Sequence, residues 1–217
     1  MFDDRGSAGR QLAAAMRRRG LTAPVVLALP RGGVPVGAEI AEALGAPLDV
    51  LMVRKLGAPG RPELAMGAVA KTGESTETVL NDDVVSLLRV RQDDIEATKA
   101  HELGVIAERE RRYHGGRTRP ALRGRTAIVV DDGIATGATM RAALRAVRRA
   151  NPAHVVLAVP VAPPDAVRAL SAEADEVVCL QQPWDLGAIG MYYRDFRQVD
   201  DSEVVAALAR HTADGAA

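Results

Sequence analysis

The chain has 217 residues, 47% of them apolar, and its 28 basic side chains balance its 28 acidic ones. That length suits one α/β domain with a core that needs no disulfide or metal, and the balanced charge excludes a global field for nucleic acid or acidic lipid. Cys179 has no partner cysteine, no apolar run approaches the roughly 18 residues of a membrane span, and the acidic start Met1-Phe2-Asp3-Asp4 is unlike a signal peptide, so a cytoplasmic protein is expected.

In chain order, Val25 to Leu29 is a buried-strand candidate, followed by a Gly turn and an amphipathic segment from Val34 to Leu44. Leu48 to Val53 is a second strand. Residues 54–75, rich in Gly and Pro and opened by Arg54-Lys55, read as a long loop with a short strand at Met66–Val69. Such loops in compact domains are commonly functional. Residues 94–113 read as a helix with a charged, solvated face. Thr126 to Val130 is the strongest strand. A helix from Ala138 to Arg149, a strand at Val155–Val159, a helix near Asp165–Leu170 and a strand at Glu176–Leu180 follow. This alternation predicts an α/β domain, a mostly parallel sheet with helices on both faces. Residues 1–20 and about 181–217 fall outside it, and their Ala/Leu positions suit docked helices.

The basic side chains include only three lysines, Lys55, Lys71 and Lys99. The arginine excess fits either phosphate recognition or the codon bias of a GC-rich genome, and runs such as Arg17-Arg18-Arg19 and Arg148-Arg149 suit helix surfaces.

The strand ending at Val130 runs into Asp131-Asp132-Gly133-Ile134-Ala135-Thr136-Gly137-Ala138-Thr139. Free backbone N–H groups where the next helix opens form an anion site, and the helix dipole adds to it. Thr136 and Thr139 add hydroxyl donors, while Gly133 and Gly137 let the backbone wrap closely around a phosphate. Two carboxylates aimed at a phosphate would repel it, but aimed at hydroxyls nearby they fit a sugar phosphate. A helix N-cap would account for only one of the two acids. The chain has no Gly-Lys-Ser/Thr and no Gly-x-Gly-x-x-Gly after a strand, which excludes the Walker and dinucleotide loops. His101, His114, His154 and His211 lack metal-ligand spacing, and no Gly-x-Ser-x-Gly elbow suggests a hydrolase.

These residues resemble the signature of the type I phosphoribosyltransferases, which is a strand, two acids and a Thr-Gly-x-Thr phosphate loop. Nearly the whole chain is similar to a bacterial group of predicted phosphoribosyltransferases. The resemblance implies one domain over 1–217: a core at about 21–180, a hood from about 1–20 and 181–217, and a flexible lid at about 54–75. It implies phosphoribosyl pyrophosphate as donor, with Mg²⁺. Asp131 and Asp132 would be catalytic, holding the ribose 2- and 3-hydroxyls and contacting the metal indirectly, through those hydroxyls or water. Gly133 and the run Ala135, Thr136, Gly137, Ala138 and Thr139 would bind the 5-phosphate. The turn Leu29-Pro30-Arg31-Gly32-Gly33-Val34 would hold pyrophosphate, with Arg31 adding a fork of donors and Gly32 and Gly33 permitting the backbone course.

The same resemblance makes residues 54–75 a lid, with Arg54 and Lys55 approaching pyrophosphate and Gly57–Met66 closing over the site. Glu63 is its acid, either a proton carrier or a solvated side chain. Ala135 stands where the 6-oxopurine enzymes carry a general base, so that mechanism does not transfer. In the segment Gln182–Tyr193, Leu186 stands where hypoxanthine-type members place a ring-stacking aromatic. Trp184 could substitute, or it could pack with Tyr192 and Tyr193 against the core edge. The expected reaction is transfer of 5-phosphoribosyl to a nitrogen acceptor, nucleobase-like, with release of pyrophosphate. The alternatives are an amine or aminosugar acceptor, or a non-catalytic sensor of phosphoribosyl pyrophosphate or nucleotides. No nucleic-acid or membrane partner is expected, and a homodimer is a family expectation.

Overall fold

A strand buried on both faces is built mainly from apolar side chains, and the runs Val25–Ala28 and Ala127–Val130 meet that demand. In chain order the elements are α1 (Arg5–Met16), β1 (Val25–Ala28), α2 (Gly33–Leu44), β2 (Leu48–Val50), β3 (Met52–Ala58), β4 (Arg61–Thr72), β5 (Ser75–Leu80), α3 (Asp82–Leu87), α4 (Gln92–His114), β6 (Thr126–Val130), α5 (Ala138–Arg149), β7 (His154–Val161), α6 (Pro164–Leu170), β8 (Glu176–Gln181) and α7 (Asp201–Arg210). A 3-10 turn covers Ile189–Tyr192. This computed structural model describes residues 1–72, 75–115 and 117–211. Residues 73 and 74 of the expected lid and 212–217 of the expected hood lie outside the described residues.

Five strands form a parallel sheet in the order β2-β1-β6-β7-β8. Val26, Ala28, Ile128, Val130, Val156 and Ala158 join the core that includes α1 and α2 residues. Their neighbours Val25, Leu27, Ala127, Val129, Val155 and Leu157 join the core that includes α5 and α6 residues. The chain leaves β1 through α2 towards β2 and leaves β6 through α5 towards β7, in opposite directions along the sheet. The strand order therefore reverses between β1 and β6, and the crevice beyond the carboxyl ends at such a reversal is where open α/β sheets bind ligands.

The second sheet corrects the sequence expectation. Residues 52–72 and 75–80 form an antiparallel sheet, β3-β4-β5, where a long loop with one short strand was expected over 54–75. The Pro and Gly concentrate in the tight turn, where Ala58 pairs with Arg61 and Gly60 takes φ 68°. The expected strand Leu48–Val53 also divides: β2 ends at Val50 and Met52 begins the new sheet. This sheet rests on α5 through small side chains, Ala68 and Ala70 against Ala142 and Ala146.

A buried polar cluster ties α4 to both sheets. Glu110 accepts from Lys71 and Arg119, each at 2.7 Å, and His114 Nε2 lies 2.6 Å from Asp49 Oδ1. The terminal segments also meet. Phe2 N–H donates to the Tyr192 carbonyl at 2.7 Å, and Arg194 N–H donates to the Phe2 carbonyl at 2.9 Å. Helix α1 lies close on α2, where a Cβ on Gly9 would stand 2.7 Å from the Val36 carbonyl oxygen. Among the described residues no helix is long and apolar enough to cross a membrane.

Candidate functional site

Strands β1 and β6 run side by side in parallel register, Ala28 opposite Val130, and Leu29 N–H donates to the Val130 carbonyl at 2.9 Å. The loops that follow them therefore emerge together at the topological switch point. They touch. A Cβ on Gly32 would stand 2.1 Å from Asp132 Oδ2, and one on Gly33 would stand 2.8 Å from the Val130 carbonyl oxygen and 2.9 Å from Asp131 Cα. Both glycines are thus required by the approach of the acidic loop. Gly32→Ala should push Asp132 aside, with an overpacking penalty of about 1–3 kcal/mol. Thermal melting checks this, and a variant as stable as the wild type would refute the contact.

The two acids are not equivalent. Asp131 Oδ1 accepts from the Asp132 N–H at 2.9 Å. Burial pushes the Asp131 carboxyl well above the usual carboxylate range, and the neighbouring charge of Asp132 pushes it further. Asp132 is paired instead: Arg5 Nε donates to its Oδ2 at 2.7 Å, with the two side chains only 10% and 13% exposed. Tyr193 hydroxyl donates to the Asp132 carbonyl at 2.5 Å. Burial, followed by the charge of Asp132, raises the Tyr193 phenol, so it remains a neutral donor.

Beyond the acids the loop is pinned on one side and open on the other. Ile134 N–H donates to the Val161 carbonyl at 2.9 Å, and Gly133 lies beneath Ile189, whose Cγ2 would be 2.5 Å from a Cβ there. Gly137 takes φ 78°, a left-handed conformation suited to glycine, and α5 starts at the next residue. Ala135, Thr136, Ala138 and Thr139 are exposed, and their backbone N–H groups have no protein partner among the described residues. A cleft of about 630 Å³ opens beside this loop, with Thr136, Ala138 and Arg141 on one wall and Ala65, Ala68 and Leu80 on the other.

The remaining site residues suggested by the sequence are more scattered. Arg31 leans towards the start of α7, 3.9 Å from Asp201 Oδ1. Arg54 Nε donates to Glu102 on α4 at 2.6 Å, and Lys55 donates to the Glu63 carbonyl at 3.1 Å. The Glu63 side chain is 99% exposed near the hairpin turn. Leu186 is buried, whereas Trp184 is 81% exposed. Sequence reasoning did not single out Arg5 or Ile189, and it left Tyr193 as a packing residue. Arg5 is separated from Asp132 by 127 positions, so no local pattern marks it.

Comparison with known proteins agrees with this geometry. The model of the phosphoribosyl transferase domain matches residues 4–195. Two Mycobacterium tuberculosis proteins, provisionally named phosphoribosyl transferases, are each 51% identical over 210 residues, which is 97% of this chain and 47% of theirs. The chain thus spans about half the length of the curated relatives it matches. The crystal structure of TT1426 from Thermus thermophilus superposes with a TM-score of 0.83 at 48% identity, covering 98% of this chain and 99% of that one. The matching domain model, the parallel sheet and the paired acids before an open amide loop place the chain in the phosphoribosyl transferase domain family, with the type I α/β fold.

Proposed function

We propose that the chain binds phosphoribosyl pyrophosphate with Mg²⁺ and transfers its 5-phosphoribosyl group to a nitrogen nucleophile. The observation that carries this reading is the meeting, at one switch point, of the acids Asp131-Asp132, the open amides of Ala135–Thr139 and the Arg31-Gly32-Gly33 turn. The amides suit the 5-phosphate, the acids suit the ribose hydroxyls, and the glycine turn suits the pyrophosphate on the other side of the anomeric carbon. The acceptor nitrogen donates its lone pair to that carbon while the carbon–oxygen bond breaks, and pyrophosphate leaves with the electron pair. The acceptor's proton passes to a base or to solvent. Catalysis then rests mainly on fixed donors around charge that develops as pyrophosphate departs.

Among the described residues no group of three or more His, Cys, Asp or Glu side chains gathers as a metal site. The two adjacent acids fit Mg²⁺ held largely by ligand oxygens, because this ion favours one or two carboxylates together with substrate phosphates. When bound, it would neutralise charge on the leaving pyrophosphate.

A pyrophosphate-release assay over adenine, orotate, uracil and simple amines tests the reaction. Donor binding without turnover of any acceptor would favour the sensing alternative. In this reading the hairpin around Pro59–Leu64 serves as the lid, since its base rests on α5 and its turn is exposed. Thermolysin cleavage near Leu64 should slow when phosphoribosyl pyrophosphate and Mg²⁺ are added. Equal cleavage with and without them would remove the lid from the proposal.

A further inference from the structure

Arg5 occupies an unusual position for a residue in the first turn of a terminal helix. Its side chain is only 10% exposed, and its Nε holds Asp132 Oδ2 at 2.7 Å. Its Nη1 donates to the Arg197 carbonyl at 2.8 Å, and its guanidinium lies 3.8 Å from the centre of the Phe196 ring. Phe196 packs against Tyr193, and Tyr193 against Phe2, with ring centres 5.0 and 5.3 Å apart. One guanidinium therefore joins the N-terminal segment, residues 193–197 and the acid at the switch point.

We infer that Arg5 is the positioning residue of the ribose subsite, fixing which oxygen of Asp132 faces the sugar. This rests on the reading of Asp131 and Asp132 as ribose ligands. Asp132 Oδ2 is wedged between Arg5 and Gly32, which leaves Oδ1 for a ligand. Asp131 Oδ1 accepts from the Asp132 N–H, so the two acids stand side by side. Two neighbouring carboxyls match a vicinal pair of hydroxyls. A monodentate guanidinium contact selects this arrangement because a buried carboxylate adopts the geometry that keeps its cation. The same contact makes seating of the terminal segments a condition for presenting Asp132.

The test compares the 217-residue wild type with Arg5→Met, which keeps the packing over Phe196, and Arg5→Lys, which keeps the charge. Calorimetry measures inorganic phosphate, ribose 5-phosphate and 2-deoxyribose 5-phosphate with each protein, and circular dichroism confirms folding. In the wild type, ribose 5-phosphate should bind about tenfold or more tightly than its 2-deoxy analogue, as expected for a hydrogen bond to a charged group. Arg5→Met should lose most of that ratio while retaining phosphate affinity, and Arg5→Lys should recover part of it. A purely structural role predicts another pattern, with phosphate and both sugars weakened together or none of them changed, and either result overturns the inference. A wild type that binds both sugars equally refutes the ribose reading itself, and the role of Arg5 falls with it.

Discussion

Replacing Asp131 and Asp132 together by Asn should lower the affinity for phosphoribosyl pyrophosphate by at least about tenfold, since each hydrogen bond to a charged group contributes roughly 1.5–3 kcal/mol. The loss should be divided unevenly. Burial and the neighbouring charge hold the Asp131 carboxyl well above the usual range, so its charged form is disfavoured in this site. Asp131→Asn then changes the site less than Asp132→Asn, which also leaves the nearly buried Arg5 without its acid. Calorimetry on the two single variants and the double variant checks the order. Unchanged binding by a folded double variant would end the assignment of these acids to the donor.

Hypoxanthine and guanine should be poor acceptors even when the donor binds well. Ala135 lies on the exposed part of the phosphate loop and has no proton-transfer chemistry where the 6-oxopurine enzymes carry a base. The absence of a general base typically lowers a rate by about 10²–10⁴-fold. Glu63, fully open to solvent near the hairpin turn, could serve another acceptor only after the hairpin closes. Pyrophosphate release measured side by side with the two oxopurines and the other candidate acceptors decides the matter. Turnover of either oxopurine at the rate of a dedicated salvage enzyme would show that Ala135 does not set the specificity.

Much of this site was legible before any coordinates because its chemistry is local. The strand Thr126–Val130 and the helix Ala138–Arg149 have the predicted bounds, and the loop between them carries acids, small residues and hydroxyls in one run. The strands beside it read as continuous apolar runs because both of their faces are buried. The β3-β4 hairpin was hidden for the opposite reason. It carries Arg54-Lys55 and turns on Pro59-Gly60, and its pairing of Met52 with Lys71 spans residues that no local window joins. Helix α1 was expected only as an Ala/Leu segment suited to docking: it buries Leu12 and Met16, but Ala8, Gly9 and Ala13 beside them are small and weaken its apolar periodicity. Arg5 depends entirely on tertiary structure: its meaning comes from where Asp132 arrives after the chain has crossed the sheet.

Trp184 gives the molecule an optical property of its own. It is the single tryptophan among 217 residues, and it is 81% exposed on the segment expected to cover the acceptor. Fluorescence excited at the red edge of protein absorption therefore comes from one known place, with the long-wavelength emission of a solvated indole. Phosphoribosyl pyrophosphate alone should leave that emission nearly unchanged, because its proposed subsites are the acidic loop and the glycine turn. An acceptor that stacks on the indole should quench the emission or shift it to shorter wavelength. Trp184→Phe should abolish the signal, so unlabelled protein can be screened against a library of nitrogen nucleophiles by emission alone. A true acceptor with no spectral effect would show that Trp184 stays in solvent throughout the cycle and that other residues select the substrate.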